Sequence, residues 1–240
     1  MNIALIGYGK MGKVIEEIAL ERGHSISARI SSNNPINEAD LSDTDVAIEF
    51  TQPELAVAHI EHCILRGIPI IVGTTGWMDS LDKIISMTEE QNGSLLHASN
   101  FSIGVNVFFE VNNRLAELMS GKSGYTVSLE ETHHIHKLDA PSGTAITLAN
   151  GILENNSEYI SWVHGEEKKP HVGQFQLPVI SHRKPDVPGT HSITYSSEID
   201  TITITHEAHN RKGFALGAVI SAEWILGKKG VFTIKDVLNL

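Results

Sequence analysis

The run NIALIGYGKMG, residues 2–12, joins a short apolar segment, Asn2 to Ile6, to a glycine-spaced loop. An uninterrupted apolar run of this length is what a strand buried on both faces requires. The loop that follows is GxGxxG, and a helical pattern over residues 13–22 ends at Gly23. In that context Gly7 permits a tight turn, Gly9 lets a pyrophosphate approach the backbone, and Gly12 allows the helix to pack close to the strand. The stretch predicts the first βαβ unit of a dinucleotide-binding domain. A tight βα turn without a ligand is the plain alternative.

Working outward, strand and helix patterns alternate through residue 101. Strands are expected over residues 25–30, 45–50, 68–72 and 94–98, with helices over 53–66 and 80–90 between them. Thr51 is expected to cap the first of these helices, with Pro53 and Glu54 in its opening turn. Such alternation predicts an α/β, Rossmann-type, doubly wound parallel sheet, whose ligands lie beyond the carboxyl ends of the strands. Gly7, Tyr8, Gly9, Lys10, Met11 and Gly12 lie at that edge. So do Gly73, Thr74 and Thr75, and Ala98, Ser99, Asn100 and Phe101. The strand over 25–30 ends in Ser31-Ser32-Asn33-Asn34, where an acidic residue would hold the ribose diol of NADH. Without that carboxylate, and with Arg29 nearby, NADPH is expected to be accepted as well as NADH.

After residue 102 the rhythm changes. A long helix is expected over 105–119, then a strand over 125–132, a helix from Ser142, a polar segment over 154–173, and strands over 179–183, 191–195 and 201–206. Thr201-Ile202-Thr203-Ile204-Thr205 alternates strictly, as a half-buried strand does. These elements predict a second α+β domain built on an open mixed sheet. The tail from Phe214 is helix-like and then mixed, and is expected to return to the first domain.

The stretch 131–148, ETHHIHKLDAPSGTAITL, carries the densest chemistry. His133, His134, His136 and Lys137 fall within five positions, and Ser142-Gly143-Thr144 opens a helix. A helix N-terminus presents free N–H groups and the positive end of the dipole to an anion. Histidine can exchange protons near neutral pH, and a lysine among other cations can be tuned toward it. Satisfied strand histidines are the plain alternative. No metal is expected: His133 and His134 would face opposite sides of a strand, there is no HExxH pair, and no cysteine is near.

The 240 residues carry a formal charge of −11, which argues against nucleic-acid and anionic-membrane partners. No apolar run approaches a membrane span, and the start lacks a secretory signal pattern. The single cysteine, Cys63, excludes an internal disulfide. Together these predict a cytoplasmic protein.

GYGKMG, FTQP, GTTG, SNFSIGVN and above all ETHHIHKLDAPSGTA closely resemble the 4-hydroxy-tetrahydrodipicolinate reductase family of lysine and diaminopimelate synthesis. The segments HNRKGFALGAVISAEWI and GVFTIKDVL extend the resemblance over nearly the whole chain, which is short for the family between residues 32 and 45. The resemblance implies a discontinuous cofactor domain, residues 1–101 and 214–240, and a substrate and oligomerisation domain, residues 102–213. It implies His133 and Lys137 as proton-transfer residues, His134, Gly143 and Thr144 as substrate contacts, and NADH or NADPH as cofactor. Cofactor contacts are implied at residues 7–12, 73–75 and 98–101, with Ser31 where many members carry the ribose-binding acid. A small dicarboxylate substrate and a homotetramer are also implied. Another two-domain dehydrogenase of amino-acid precursors would share the glycine loop but leave the HHxHK and SGT pairing without a role. A non-catalytic NAD(P)H-binding regulator would not need the proton-transfer set.

Overall fold

The computed structural model describes residues 1–210 and 212–240, and the chain falls into two compact units, Met1–Asn106 with Arg211–Leu240, and Val107–Asn210.

The first unit is a six-stranded, wholly parallel sheet. Its strands are β1 (Asn2–Ile6), β2 (Ser25–Ile30), β3 (Val46–Glu49), β4 (Ile70–Val72), β5 (Ser94–His97) and β11 (Gly230–Thr233), in the order β11-β5-β4-β3-β1-β2. Side chains alternate across each strand, so one apolar strand feeds two cores. Ile3, Leu5, Ile48, Ile71 and Leu96 pack with Ile15 and Ala19 of α1 (Lys10–Glu21) and with Ala218, Val219 and Ala222 of α6 (Lys212–Ile225). Ala4, Ile6, Ala47, Ile70 and Leu95 face the other way, onto Ala56, Ile60 and Cys63 of α2 (Pro53–Ile64) and Ile84 of α3 (Leu81–Glu90). The chain steps from β1 to β2 on one side, then to β3 on the other. That reversal opens a crevice between the loops after β1 and β3. The mixed C-terminal tail forms β11, which pairs with β5, and the short α7 (Ile234–Leu238).

Two local expectations are corrected. Helix α1 begins at Lys10, with Gly9 as its N-cap, rather than at residue 13. Thr51 does not cap α2: Gln52 stands at the N-cap and Pro53 begins the helix. The Thr51 hydroxyl instead donates to the fully buried carboxylate of Glu49. A buried carboxylate needs that donor more than a half-exposed helix end needs a cap.

In the second unit, β6 (Thr126–His133), β7 (Ser161–Glu166), β8 (Gln176–Arg183), β9 (Gly189–Ser196) and β10 (Thr201–Ala208) form a mixed sheet ordered β10-β9-β6-β8-β7. β6 runs antiparallel to β9 and parallel to β8. Val127, Leu129, Val179 and Ile193 pack with Leu148, Ala149 and Ile152 of α5 (Gly143–Asn155). They also pack with Phe108, Ala116 and Met119 of α4 (Ile103–Met119), and the Asn112 amide of α4 donates to the Leu148 carbonyl at 3.0 Å. The polar segment expected over 154–173 contains a strand after all, β7, at the edge of the sheet. Among the described residues no helix is long and apolar enough to cross a membrane.

Candidate active site

In the first unit, a candidate site is built on the glycine loop. Gly7 has a φ of +98°, where an L side chain is strained, and a Cβ there would collide with the Phe50 carbonyl. A Cβ on Gly12 would collide with the Gly7 carbonyl, so this glycine sets how closely α1 approaches the loop. Around Gly9 a Cβ would meet nothing within 4 Å. Two glycines are therefore demanded by the protein's own packing, and the middle one leaves open space. Gly9 ends α1 without a side-chain cap and no acidic residue occupies the first turn, so the helix N-terminus offers its amides and dipole to an anion.

Gly9, Lys10, Met11, Phe50, Thr51, Pro53, Gly73, Thr74 and Thr75 line one cleft of about 340 Å³. The Thr51 amide donates to the Thr74 hydroxyl at 2.7 Å, tying the loops after β3 and β4 together. Of the predicted cofactor residues, this cleft gathers Gly9, Lys10 and Met11 with the Gly73-Thr74-Thr75 turn, while Gly7, Tyr8 and Gly12 do not line it. Ala98, Ser99 and Asn100 follow β5, the neighbour of β4, and Asn100 is fixed by bonds from the Ser102 amide and the Asn106 side chain at 2.8 and 2.9 Å. Phe101 is 2 % exposed and its ring lies 5.8 Å from that of Phe50, so only its backbone could reach a ligand. Ser31 is exposed and bridges to Asn34 in a two-residue turn. Arg29 is ion-paired to Glu16, whose carboxylate also accepts from the Tyr8 hydroxyl. The hydrogen bond from Arg29 holds the Glu16 carboxyl below its ordinary range.

In the second unit, a separate cluster lies at the end of β6. Alternation along that strand turns Val127, Leu129, Glu131 and His133 to the buried face. His133 Nδ1 is hydrogen-bonded to Glu131 Oε2. The other carboxylate oxygen accepts from the Ser142 amide at 3.2 Å and from the Arg183 guanidinium at 3.2 and 3.3 Å. Burial alone would raise the Glu131 carboxyl. Hydrogen bonds from His133 and Ser181, with the charges of His133 and Arg183, outweigh it and hold the group at about 2. Glu131 is therefore ionised and can only accept, so His133 carries its proton on Nδ1 toward Glu131 and turns Nε2 away from it.

Ser142 is the N-cap of α5 and accepts from the Ala145 amide at 3.2 Å. Its hydroxyl proton is then available to His191 Nε2, 3.1 Å away. Burial, reinforced by the neighbouring His133, lowers His191 to about 3, so that ring is neutral. Gly143 is exposed and Thr144 half-buried in the first turn, and a Cβ on Gly143 would meet nothing within 4 Å. Lys137 follows in the turn after β6, its ammonium 2.8 Å from both carboxylate oxygens of Asp139. That bond holds the Asp139 carboxyl low. His134 lies just past the strand end, its ring 6.3 Å from that of His136. The structure thus gathers His133, Ser142 and the start of α5 around Glu131, with Lys137 on the adjoining turn.

Glu131, Arg183 and His191 were not picked out from the sequence. Glu131 could have been, since two residues apart on a strand is the same face. Arg183 and His191 enter only through sheet register: His133 pairs with Arg183 on one side, and Glu131 with His191 on the other. Ligand atoms of Glu131, His133 and His191 lie within 4.8 Å of one another. Both oxygens of Glu131 are already engaged, one by His133 and one by a guanidinium cation, which favours an ion-pair network over a metal ion at this place.

A parallel doubly wound unit with an open glycine loop, in one chain with a unit bearing a histidine–lysine cluster, has the make-up of a dinucleotide-dependent oxidoreductase. Comparison with known proteins narrows the class. Family models described as dihydrodipicolinate reductase, N-terminus and C-terminus, match residues 1–101 and 104–238. The chain is 48% identical to a 4-hydroxy-tetrahydrodipicolinate reductase of Christiangramia forsetii, over 100% of this chain and 98% of that one. It is 34% identical to the enzyme of the same name from Neisseria meningitidis serogroup C, over 94% and 84%. A solved dihydrodipicolinate reductase from Paenisporosarcina sp. TG-14, with dipicolinate bound, shares the fold with a TM-score of 0.78 at 23% identity, over 97% of each chain. The chain belongs to the dihydrodipicolinate reductase family. It is an NAD(P)H-dependent oxidoreductase, and its reaction is the reductase step of lysine and diaminopimelate biosynthesis that yields tetrahydrodipicolinate.

Proposed function

We propose that His133 and Lys137 manage the proton that accompanies hydride reduction of a dihydrodipicolinate-type cyclic imine, and that His134, Gly143 and Thr144 hold the substrate. The observation that carries this is the shared hold on Glu131: the carboxylate that engages His133 also accepts the Ser142 amide at 3.2 Å, at the start of α5. One carboxylate thereby places a proton-transfer ring beside a helix N-terminus. A dicarboxylate suits such a helix end, and the bound dipicolinate of the Paenisporosarcina enzyme is a compound of that class.

NADH or NADPH, when bound, supplies the hydride. The chain's own residues do the rest. Amides at the start of α1 and around Gly9 are suited to the pyrophosphate, Gly73, Thr74 and Thr75 line the same cleft, and residues 98–101 follow β5, the strand beside β4. Ser31 is assigned a place at the adenosine ribose without the charge of a carboxylate. Lys137 is held by Asp139, and a substrate carboxylate would offer it a competing partner. His133 takes up and releases its proton at Nε2. No step needs a metal ion.

Residues 1–101 and 214–240 act as the cofactor domain and residues 102–213 as the substrate and assembly domain. A cytoplasmic homotetramer is the form assigned to the enzyme. The edge strand β10, which leaves Thr201, Ile202 and Thr203 exposed, supports a partner there, and sedimentation analysis decides it.

The test of the reaction is oxidation of NADH and NADPH with the imine generated in situ from pyruvate and aspartate semialdehyde. Substrate-dependent loss of nicotinamide absorbance is expected with both cofactors. Binding of both without oxidation would leave a dinucleotide-binding protein with another substrate or none.

A further inference from the structure

Resting on the assignment of His133 as a proton-transfer residue, we propose that Glu131 is its positioning residue and that Arg183 sets the orientation of Glu131. Together they commit His133 to a single neutral tautomer with the proton on Nδ1 and the working lone pair on Nε2. The geometry is closed on every side of the carboxylate. Glu131 is 1 % exposed, with one oxygen on His133, the other on the Ser142 amide and the Arg183 guanidinium, and Ser181 as a further donor to the carboxylate. Arg183 also donates to the Asp139 carbonyl at 2.7 Å. It therefore ties the turn that bears Lys137 to the carboxylate that engages His133. The His133 carbonyl accepts from the Lys184 amide at 2.9 Å, so the strand end cannot twist the ring away. Space at the working nitrogen is kept by Gly189, where a Cβ would stand 3.0 Å from His133 Nε2. A carboxylate buried behind a histidine, fixing its tautomer, is a recurrent means of aiming the opposite ring nitrogen at a reacting group.

The arrangement makes a directional prediction for Glu131→Gln. Ser142 N–H and Arg183 are donors, so they must hold the amide oxygen of the glutamine. The glutamine NH₂ then faces His133 Nδ1, which can only accept, and the ring proton moves to Nε2. The isosteric variant is expected to bind NAD(P)H normally and to keep the imine KM within about twofold, while kcat falls by about 10²-fold. NMR of ring-¹⁵N histidine, on the intact chain at mildly alkaline pH, should show His133 as Nδ1–H in the wild type and Nε2–H in the variant. A wild-type ring in the Nε2–H form would overturn the proposal without any variant, and so covers a Glu131→Gln protein that fails to fold. Full activity and an unchanged tautomer in a folded Glu131→Gln enzyme would overturn it too. His133→Ala in the same assay separates the two levels. If that variant is impaired while Glu131→Gln is not, the positioning role alone is wrong. If His133→Ala is fully active, the assignment of His133 fails and the positioning role with it.

Discussion

Arg183 and His133 are direct neighbours in the parallel ladder of β6 and β8, and the guanidinium of one and the imidazole of the other close on the same carboxylate, Glu131. The pairing explains how a buried acid stays ionised and why the histidine cannot rotate. It also places a pH dependence on the fold.

Acid stability follows most strongly from two groups, with His62, His97 and His206 lowered by burial in the same sense. His191 is held at about 3 against an ordinary 6.5, and Glu131 at about 2 against an ordinary 4.5. In both cases the unfolded chain binds a proton more readily than the native one, so the stability they provide is complete above the unfolded value and is lost as pH falls. His191 should begin to cost stability below about pH 6.5, and Glu131 below about 4.5, each with a slope of about 1.4 kcal/mol per pH unit. Urea unfolding between pH 7 and pH 4 checks this, and His191→Gln should flatten the upper part of the curve.

The glycine loop separates folding from binding. Gly7→Ala introduces both a strained φ and a collision with the Phe50 carbonyl, and should lower stability by about 2 kcal/mol or more. Gly9→Ala has room in the protein and a negative φ of −86°, so thermal stability should hardly change. Its dinucleotide affinity should fall by about tenfold or more, because the methyl occupies the approach of the pyrophosphate. Thermal melting and cofactor titration of the two variants distinguish the roles.

Cofactor preference should respond to Glu16. Arg29 is the cation suited to a 2′-phosphate, but its guanidinium is paired to Glu16 and lies 5.7 Å from the Tyr8 ring. Removing the negative charge with Glu16→Gln frees Arg29 and removes a repulsion. The ratio of kcat/KM for NADPH over NADH should rise several-fold, at some cost in stability, because the Glu16 side chain is mostly buried and also accepts from Tyr8. An unchanged ratio would mean that Arg29 does not meet the adenosine ribose.

Cys63 should be inert in the native protein. It is fully buried on the face of α2 that packs against the sheet, and desolvation pushes its thiol up to about 12. A thiol reagent should label it only at the rate of global unfolding.

Much of this was legible in the chain itself, for reasons that can be named. The first unit follows from strands such as Asn2–Ile6 and Ile70–Val72, apolar on both faces, which run into the glycine turns at Gly7 and Gly73. The His/Lys cluster and the helix start at Ser142 are adjacent in sequence, so their proximity needs no tertiary knowledge. β7 was not legible: Ser161–Glu166 is a half-buried edge strand with no alternation to read. The partners of Glu131 were hidden for a different reason. Arg183 lies 52 residues away and meets Glu131 only because β8 lies beside β6. The position of Thr51 misled because a hydroxyl before Pro53 looks like a cap until a buried carboxylate two residues earlier claims it.

The most direct test of the proton-transfer assignment is the kinetics of His133→Ala and Lys137→Ala, with dinucleotide affinity measured separately by calorimetry. Each variant should bind NADH and NADPH as the parent does and turn over the imine about 10²-fold more slowly or worse. Parental turnover in both variants would contradict the account and move the proton chemistry to other residues.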